Sequence, residues 1–272
     1  MIRITSIGAR AARLLDQHAD WTVEATFDRS FYLRSGHEFI CVGDASIGDG
    51  PLNALHADSA SQATTQKLVA LPSGQRLSWN EALIWQAAPW PPVANRALHA
   101  DCVGSIIAAA IDAAPATSFV HALTSKLSDD LVARRAREGI DRLSQALDDP
   151  TLKTCDAAAL SLLGLGHGLT PSGDDVLSGA LIMLSALNRT KTATTLAAAI
   201  QRHMDTATSP LSCAFLRAAC DGEPSAAVHQ AIGLLLNGAN PSQVVAPARS
   251  VGHASGFDML AGILVAAVVP AP

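Results

Sequence analysis

The chain has 272 residues, of which 49% are hydrophobic, 16% charged and 4% aromatic, with a formal net charge of -5. So low a charged fraction argues against disorder, and mild acidity without a basic stripe excludes a nucleic-acid binder, whose phosphate partners need clustered cations. The longest apolar runs, 176–187 and 259–269, fall short of the roughly 20 residues a bilayer span needs, so no membrane segment is expected.

Residues 1–17 are punctuated by Arg3, Arg10 and Arg13 and lack the apolar centre of a signal peptide. The five cysteines (Cys41, Cys102, Cys155, Cys213, Cys220) are scattered without a CxxC pair. That usage predicts a reducing, cytoplasmic setting and no cysteine-built metal centre.

Strand signals lie in the first 90 residues. Thr22–Phe27 and Ser30–Arg34 are β-branched or aromatic runs, and Ser35-Gly36 turns the chain into 37–43, HEFICVG. This predicts a β-meander. A second hairpin is expected over 67–79, with Pro72, Ser73 and Gly74 at its turn. Between them, 43–53 (GDASIGDGPLN) reads as a loop that needs unusual backbone angles. The prolines of 88–93, APWPPV, stop regular structure and mark a boundary.

Beyond the boundary, small apolar residues recur at helical spacing. Ile106, Ile107, Ala110 and Ile111 share one face, and Leu131 with Arg134 and Arg135 opens a charged helix ending near Pro150. Arg134, Arg135 and Arg137, flanked by acids, read as a solvated face. The fold class expected is α+β. A small antiparallel β-rich domain (meander or barrel-like) over 1–90 is followed by a mostly α-helical domain over 94–272.

The helical half carries a motif twice. GLGHGLTPSGDDVLSG spans Gly164–Gly179 and VGHASGFDMLAG spans Val251–Gly262, and both contain Ser-Gly-x-Asp-x-Leu-x-Gly. Ser172 and Ser255, Asp175 and Asp258, and Gly179 and Gly262 are each separated by 83 positions. Two loop-to-helix units facing each other across a local two-fold are expected. Locally, each serine reads as an N-cap and each aspartate, three residues on, as the second member of a capping box. Gly173 and Gly256 leave room at the first turn, and Gly179 and Gly262 allow a close helix crossing.

The first copy has features beyond packing. Gly164, Gly166 and Gly168 form a lead-in whose backbone amides could point at an anion. Thr170 and Ser172 add hydroxyls, and Asp174-Asp175 doubles an acid where capping needs one. A helix N-terminus attracts carboxylate or phosphate, while aspartates there suit ureido or amide donors, so a ligand with both ends fits. The residues expected to act on it are Asp174, Asp175 and His167. Gly166, Gly168, Thr170, Ser172, Gly173, Ser255, Gly256, Asp258, His253 and Arg29 are the expected binding residues. Any metal would be Mg²⁺ on Asp174, Asp175 and Asp258, because no histidine spacing suits zinc. Against each stands a structural alternative: packed, capped helices for the motifs, backbone-held imidazoles for His167 and His253, and a surface ion pair for Arg29.

GLGHGLTPSGDDVLSG resembles the signature of a bacterial family first catalogued as a domain of unknown function and associated with the AllH-type subunit of oxamate carbamoyltransferase. The family pattern runs Gly-x-Gly-Pro-Gly-Leu-Thr-Pro-Ser-Gly-Asp-Asp; His167 stands at the proline, and Gly168 to Asp175 match throughout. The C-terminal GHASGFDMLAG resembles its second motif, and FDRSFYL with IGDGPLNAL resembles its strand-rich half. The resemblance implies a role in allantoin (purine nitrogen) degradation, in a multi-subunit transferase that cleaves oxalurate with phosphate to oxamate and carbamoyl phosphate. It also implies partner subunits, one resembling acyl-CoA synthetase proteins. The alternative is a non-catalytic scaffold or ligand-sensing subunit of such a complex.

Overall fold

The computed structural model describes residues 2–57, 77–90, 100–124 and 130–268. The chain divides into two compact units, Met1–Ala88 with Pro224–Ala227, and Pro89–Glu223 with Val228–Pro272. The architecture is α+β: a sheet first, helices after.

The first unit holds β1 (Ile4–Gly8), α1 (Ala9–Gln17), β2 (Thr22–Thr26), β3 (Ser30–Ser35), β4 (Glu38–Asp44), β5 (Asn53–His56) and β6 (Leu83–Trp85). They form one sheet in the order β2-β3-β4-β5-β1-β6. The expected meander is β2-β3-β4, antiparallel throughout, with Phe31 opposite Val42 and Leu33 opposite Ile40. Phe31 and Leu33 are buried at alternate positions, whereas Phe39 to Val42 are buried in succession, as in a strand covered on both faces.

The sheet is mixed, because β4 pairs β5 and β1 pairs β6 in parallel, and among the described residues it stays open, with β2 and β6 as its edges. Gly43 and Asp44 belong to β4, and the loop proper starts at a 3-10 turn over Ala45–Ile47. Gly48 takes the positive φ of +73° that the glycine-rich stretch foretold. The loop is fastened inside its own unit: Ser6 Oγ donates to Asp49 Oδ1 at 2.5 Å, and Ala11 N donates to Pro51 O at 2.9 Å, serving the first turn of α1. The expected second hairpin lies, up to position 76, outside the described residues.

The second unit comprises α2 (Ala100–Ala113), a 3-10 turn (Phe119–Leu123), α3 (Leu131–Asp148), α4 (Leu152–Leu162), α5 (Ser172–Ala186), α6 (Thr190–Ala207) and α7 (Pro210–Cys220). After these come α8 (Ala226–Leu236), which enters this unit from Val228 onward, α9 (Pro241–Val245), a 3-10 turn (Ala246–Ser250) and α10 (Ser255–Ala267). The alternation read from sequence holds: Ile106 and Ala110 are fully buried on α2, and Arg134 and Arg135 are exposed on α3. Helix α5 is buried from Ser172 through Leu184, the signature of a central helix with no solvent stripe. Its main neighbour is α10. No helix among the described residues is long and apolar enough to cross a membrane.

Candidate functional site

The two motifs meet. A Cβ placed on Gly179 would lie 1.9 Å from Met259 O, and one on Gly262 would lie 1.9 Å from Val176 O. Val176 and Met259 are themselves separated by 83 positions, so α5 and α10 cross about a local two-fold, backbone against backbone. The outer glycines repeat the device against their own flanks. Gly173 faces Leu162 O and Gly256 faces Ala248 O, at 2.0 and 2.1 Å from the absent Cβ.

The expected capping boxes are absent. Pro171 and Ala254 occupy the cap positions, neither helix start has a side-chain cap, and the serines are the first helical residues. Each serine instead bonds the aspartate of the opposite motif: Ser172 partners Asp258, and Ser255 partners Asp175. A local reading of Ser-x-x-Asp could not anticipate this, because the same hydroxyl and carboxylate are satisfied across the crossing. Among the described residues the capping boxes are Thr151 with Thr154, and Asn240 with Gln243.

All three aspartates are buried, Asp174 and Asp258 to 1% exposure and Asp175 to 3%. Asp174 Oδ1 accepts from Gly164 N at 2.9 Å; its Oδ2 accepts from Ser212 Oγ at 2.6 Å and from Thr208 Oγ1. Asp258 Oδ1 accepts from Ser118 Oγ at 2.6 Å and Phe119 N at 2.7 Å. Asp175 has the Ser255 and Thr170 hydroxyls, yet its Oδ2 is buried without a partner.

Burial pushes all three carboxyls above the ordinary range. For Asp174 the hydroxyls of Ser212 and Thr208 oppose it, and for Asp258 those of Ser118 and Ser172. Asp175 is raised furthest, because the negative charges of Asp258 and Asp174 add to desolvation.

The doubled acid therefore divides its work: Asp174 faces α7 and the lead-in loop, and Asp175 faces α10. Among the described residues no group of three His, Cys, Asp or Glu is arranged to hold a metal ion. The Asp174 and Asp258 carboxylates are filled by the chain's own donors, which does not suit the Mg²⁺ set of Asp174, Asp175 and Asp258.

The lead-in loops carry the exposed groups. Gly166 sits at φ +115°, where a Cβ would press to 2.8 Å from Ser172 N, so both backbone angle and space require glycine. Gly168, at φ +102°, has open space around it and is retained for its angle alone. His167 and His253 are exposed. The loops touch where Thr170 Oγ1 lies 3.3 Å from Ser255 Oγ.

Backbone amides at the helix starts are largely committed: Gly173 N donates to Leu165 O at 2.9 Å and Gly256 N to Val251 O at 3.0 Å. Arg29 belongs to the first unit, where it is exposed and donates to Ser46 Oγ at 3.2 Å. Sequence reading missed Ser118, Thr208, Ser209 and Ser212. Thr208-Ser209-Pro210 announces a helix start, and Ser209 does cap α7, but nothing local reveals that Ser209 Oγ also donates to Leu169 O at 2.7 Å.

Residues 162–267 match the family model for oxamate carbamoyltransferase subunit AllH. This segment is AllH-like. The AllH-like segment begins at the end of α4 and closes at the end of α10, so it encloses both motifs and the whole crossing. Comparisons with curated proteins and with solved structures found no match.

Proposed function

We propose that the chain is a subunit of an oxamate carbamoyltransferase-type complex of the cytoplasm, acting in purine nitrogen breakdown on a small substrate with a carboxylate and a ureido group. The observation that carries this reading is the coincidence of the AllH-like segment with the crossed motifs and their exposed loops. Oxalurate and phosphate fit the chemistry. A phosphate oxygen attacks the terminal ureido carbonyl, the bond from that carbon to the oxamate nitrogen breaks, and that nitrogen takes up a proton. Carbamoyl phosphate and oxamate result.

In this reading the ligand meets the outer surface of the paired helix starts. Gly166, Gly168, Thr170, Ser255 and His253 contact it, and His167 supplies the proton as general acid. Ser172, Gly173, Gly256, Asp174, Asp175 and Asp258 lie beneath and fix the loops. Two independent half-loops joined at Thr170 and Ser255 would hold the two ends of a short ligand in fixed relation, which is where positioning acts on rate.

The second reading, a scaffold or ligand-sensing subunit, is favoured by the filling of Asp174 and Asp258 from within the chain. Reconstitution separates the two. The chain is purified with the partner subunits, and phosphate-dependent cleavage of oxalurate is followed as carbamoyl phosphate. Loss of turnover in a complex carrying His167→Ala, with assembly intact, supports the catalytic reading. Unchanged turnover supports the scaffold.

A further inference from the structure

Three buried carboxyl groups share the α5–α10 crossing, and every partner they have is a hydroxyl or a backbone amide: Gly164, Thr208 and Ser212 for Asp174, Ser118, Phe119 and Ser172 for Asp258, Thr170 and Ser255 for Asp175. No lysine or arginine bonds any of them among the described residues. Among the described residues, the charged and titratable groups facing the cluster are the aspartates themselves, His121 toward Asp258, and Cys213 on α7 toward Asp174. Three full negative charges in so dry a place are untenable, since an unpaired buried charge is neutralised before it is tolerated.

Donor counting singles out Asp175 among the three. Asp174 and Asp258 each have three donors. Asp175 has two hydroxyls that also bond one another, and each hydroxyl has one hydrogen to give. Its Oδ2 has nothing. As a carboxylate that oxygen would be a buried, unsatisfied anion; as the carbonyl oxygen of a neutral acid its burial costs far less.

We propose that Asp175 is a neutral carboxylic acid in the folded chain, and that its proton latches the two motif loops together. The Asp175 O–H at Oδ1 donates to Ser255 Oγ, and the Ser255 O–H donates in turn to Thr170 Oγ1. When the proton leaves to solvent, both hydroxyls turn to donate to the new carboxylate, and the Thr170–Ser255 bond is lost. The latch closes the loops that bear His167 and His253, so it makes their opening proton-dependent. This inference rests on the geometry of the crossing and stands whether or not the chain is a transferase subunit.

The sign follows from linkage. A carboxyl whose pKa is raised on folding stabilises the fold relative to its ionised form, fully below the unfolded value near 4 and progressively less as pH rises toward its folded value. The test compares the full chain with Asp175→Asn at about pH 5.5 and about pH 8.5, by thermal unfolding and by hydrogen exchange of the 164–170 and 251–254 amides. The expected result is a wild-type melting temperature that falls by several degrees toward high pH, with faster loop exchange. Asp175→Asn, which keeps a carbonyl and carries no charge, should lose most of that slope. A wild-type slope retained in Asp175→Asn overturns the proposal. Should the variant fail to fold, infrared spectroscopy of the wild-type chain decides: a buried carboxylic-acid carbonyl band at neutral pH supports the proposal, and its absence overturns it.

Discussion

Gly179 and Gly262 each lie against a carbonyl of the other's helix, at the same separation and at equivalent places in the repeat. The relationship is reciprocal in detail, since the carbonyls belong to Met259 and Val176, and it explains why both motifs end in glycine. Backbone atoms cannot rotate away as a side chain can. Gly179→Ala and Gly262→Ala are therefore expected to destabilise the helical unit by about 1–3 kcal/mol or more each. The two effects should be similar, and the double variant sub-additive, because either one alone forces the helices apart. Urea denaturation monitored by circular dichroism checks this, and a tolerated alanine at either position would contradict the packing.

Asp174 is the joint between the lead-in loop and the start of α7. Replacing it by alanine leaves Ser212 Oγ and the Gly164 amide without their acceptor in a buried setting, at a cost of about 1–3 kcal/mol. Ser212→Ala alone should cost less, and the pair should show a coupling of about 0.5–3 kcal/mol in a double-mutant cycle. Limited proteolysis of 164–170 should quicken in step with the lost stability.

His167 and His253 are exposed, so their alanine variants should stay within about 0.5 kcal/mol of wild type in stability. In the reconstituted complex, His167→Ala should lower turnover by about 10²-fold or more if it supplies the proton, with His253→Ala acting mainly on substrate affinity. Steady-state kinetics on oxalurate, splitting kcat from KM, distinguish these outcomes.

Cys41 sits on the buried β4 strand, and burial pushes its thiol up to about 11. The thiolate is the reactive form, so native Cys41 should resist alkylation at about pH 8 and become labelled only when the chain is unfolded. Mass spectrometry after a timed iodoacetamide pulse reads this directly. Rapid native labelling would show that β4 opens.

Much of the fold was legible because its causes are local. Alternation in Ser30–Ser35 and the Ser35-Gly36 turn specify the meander, and small residues at helical spacing specify the helices. Strands β1, β5 and β6 went unread for an equally physical reason. They are five, four and three residues long, the pairing of β1 with β5 shifts register between Ile4 and Ser6, and β1 finds both its partners far away in sequence. The parallel pairings make the sheet mixed, and that of β1 with β6 sets Ser6 beside Leu83, far away in sequence.

The repeat itself, its 83-residue offset and its glycines were written in the sequence, and glycine, which frees the backbone, and proline, which fixes it, carry their meaning wherever they stand. What the sequence by itself determined was that two like helix starts exist, each with glycines that leave room for a close approach; the structure shows that at Gly173, Gly179, Gly256 and Gly262 the room is filled by a carbonyl. Tertiary structure alone decided which atoms answer which. Ser172 was free, on local grounds, to cap its own helix with Asp175; the crossing turned it to Asp258 and turned Ser255 to Asp175. A hydroxyl bonds whichever acceptor packing brings nearest, and that choice is made by the approach of two helices, which no local pattern encodes.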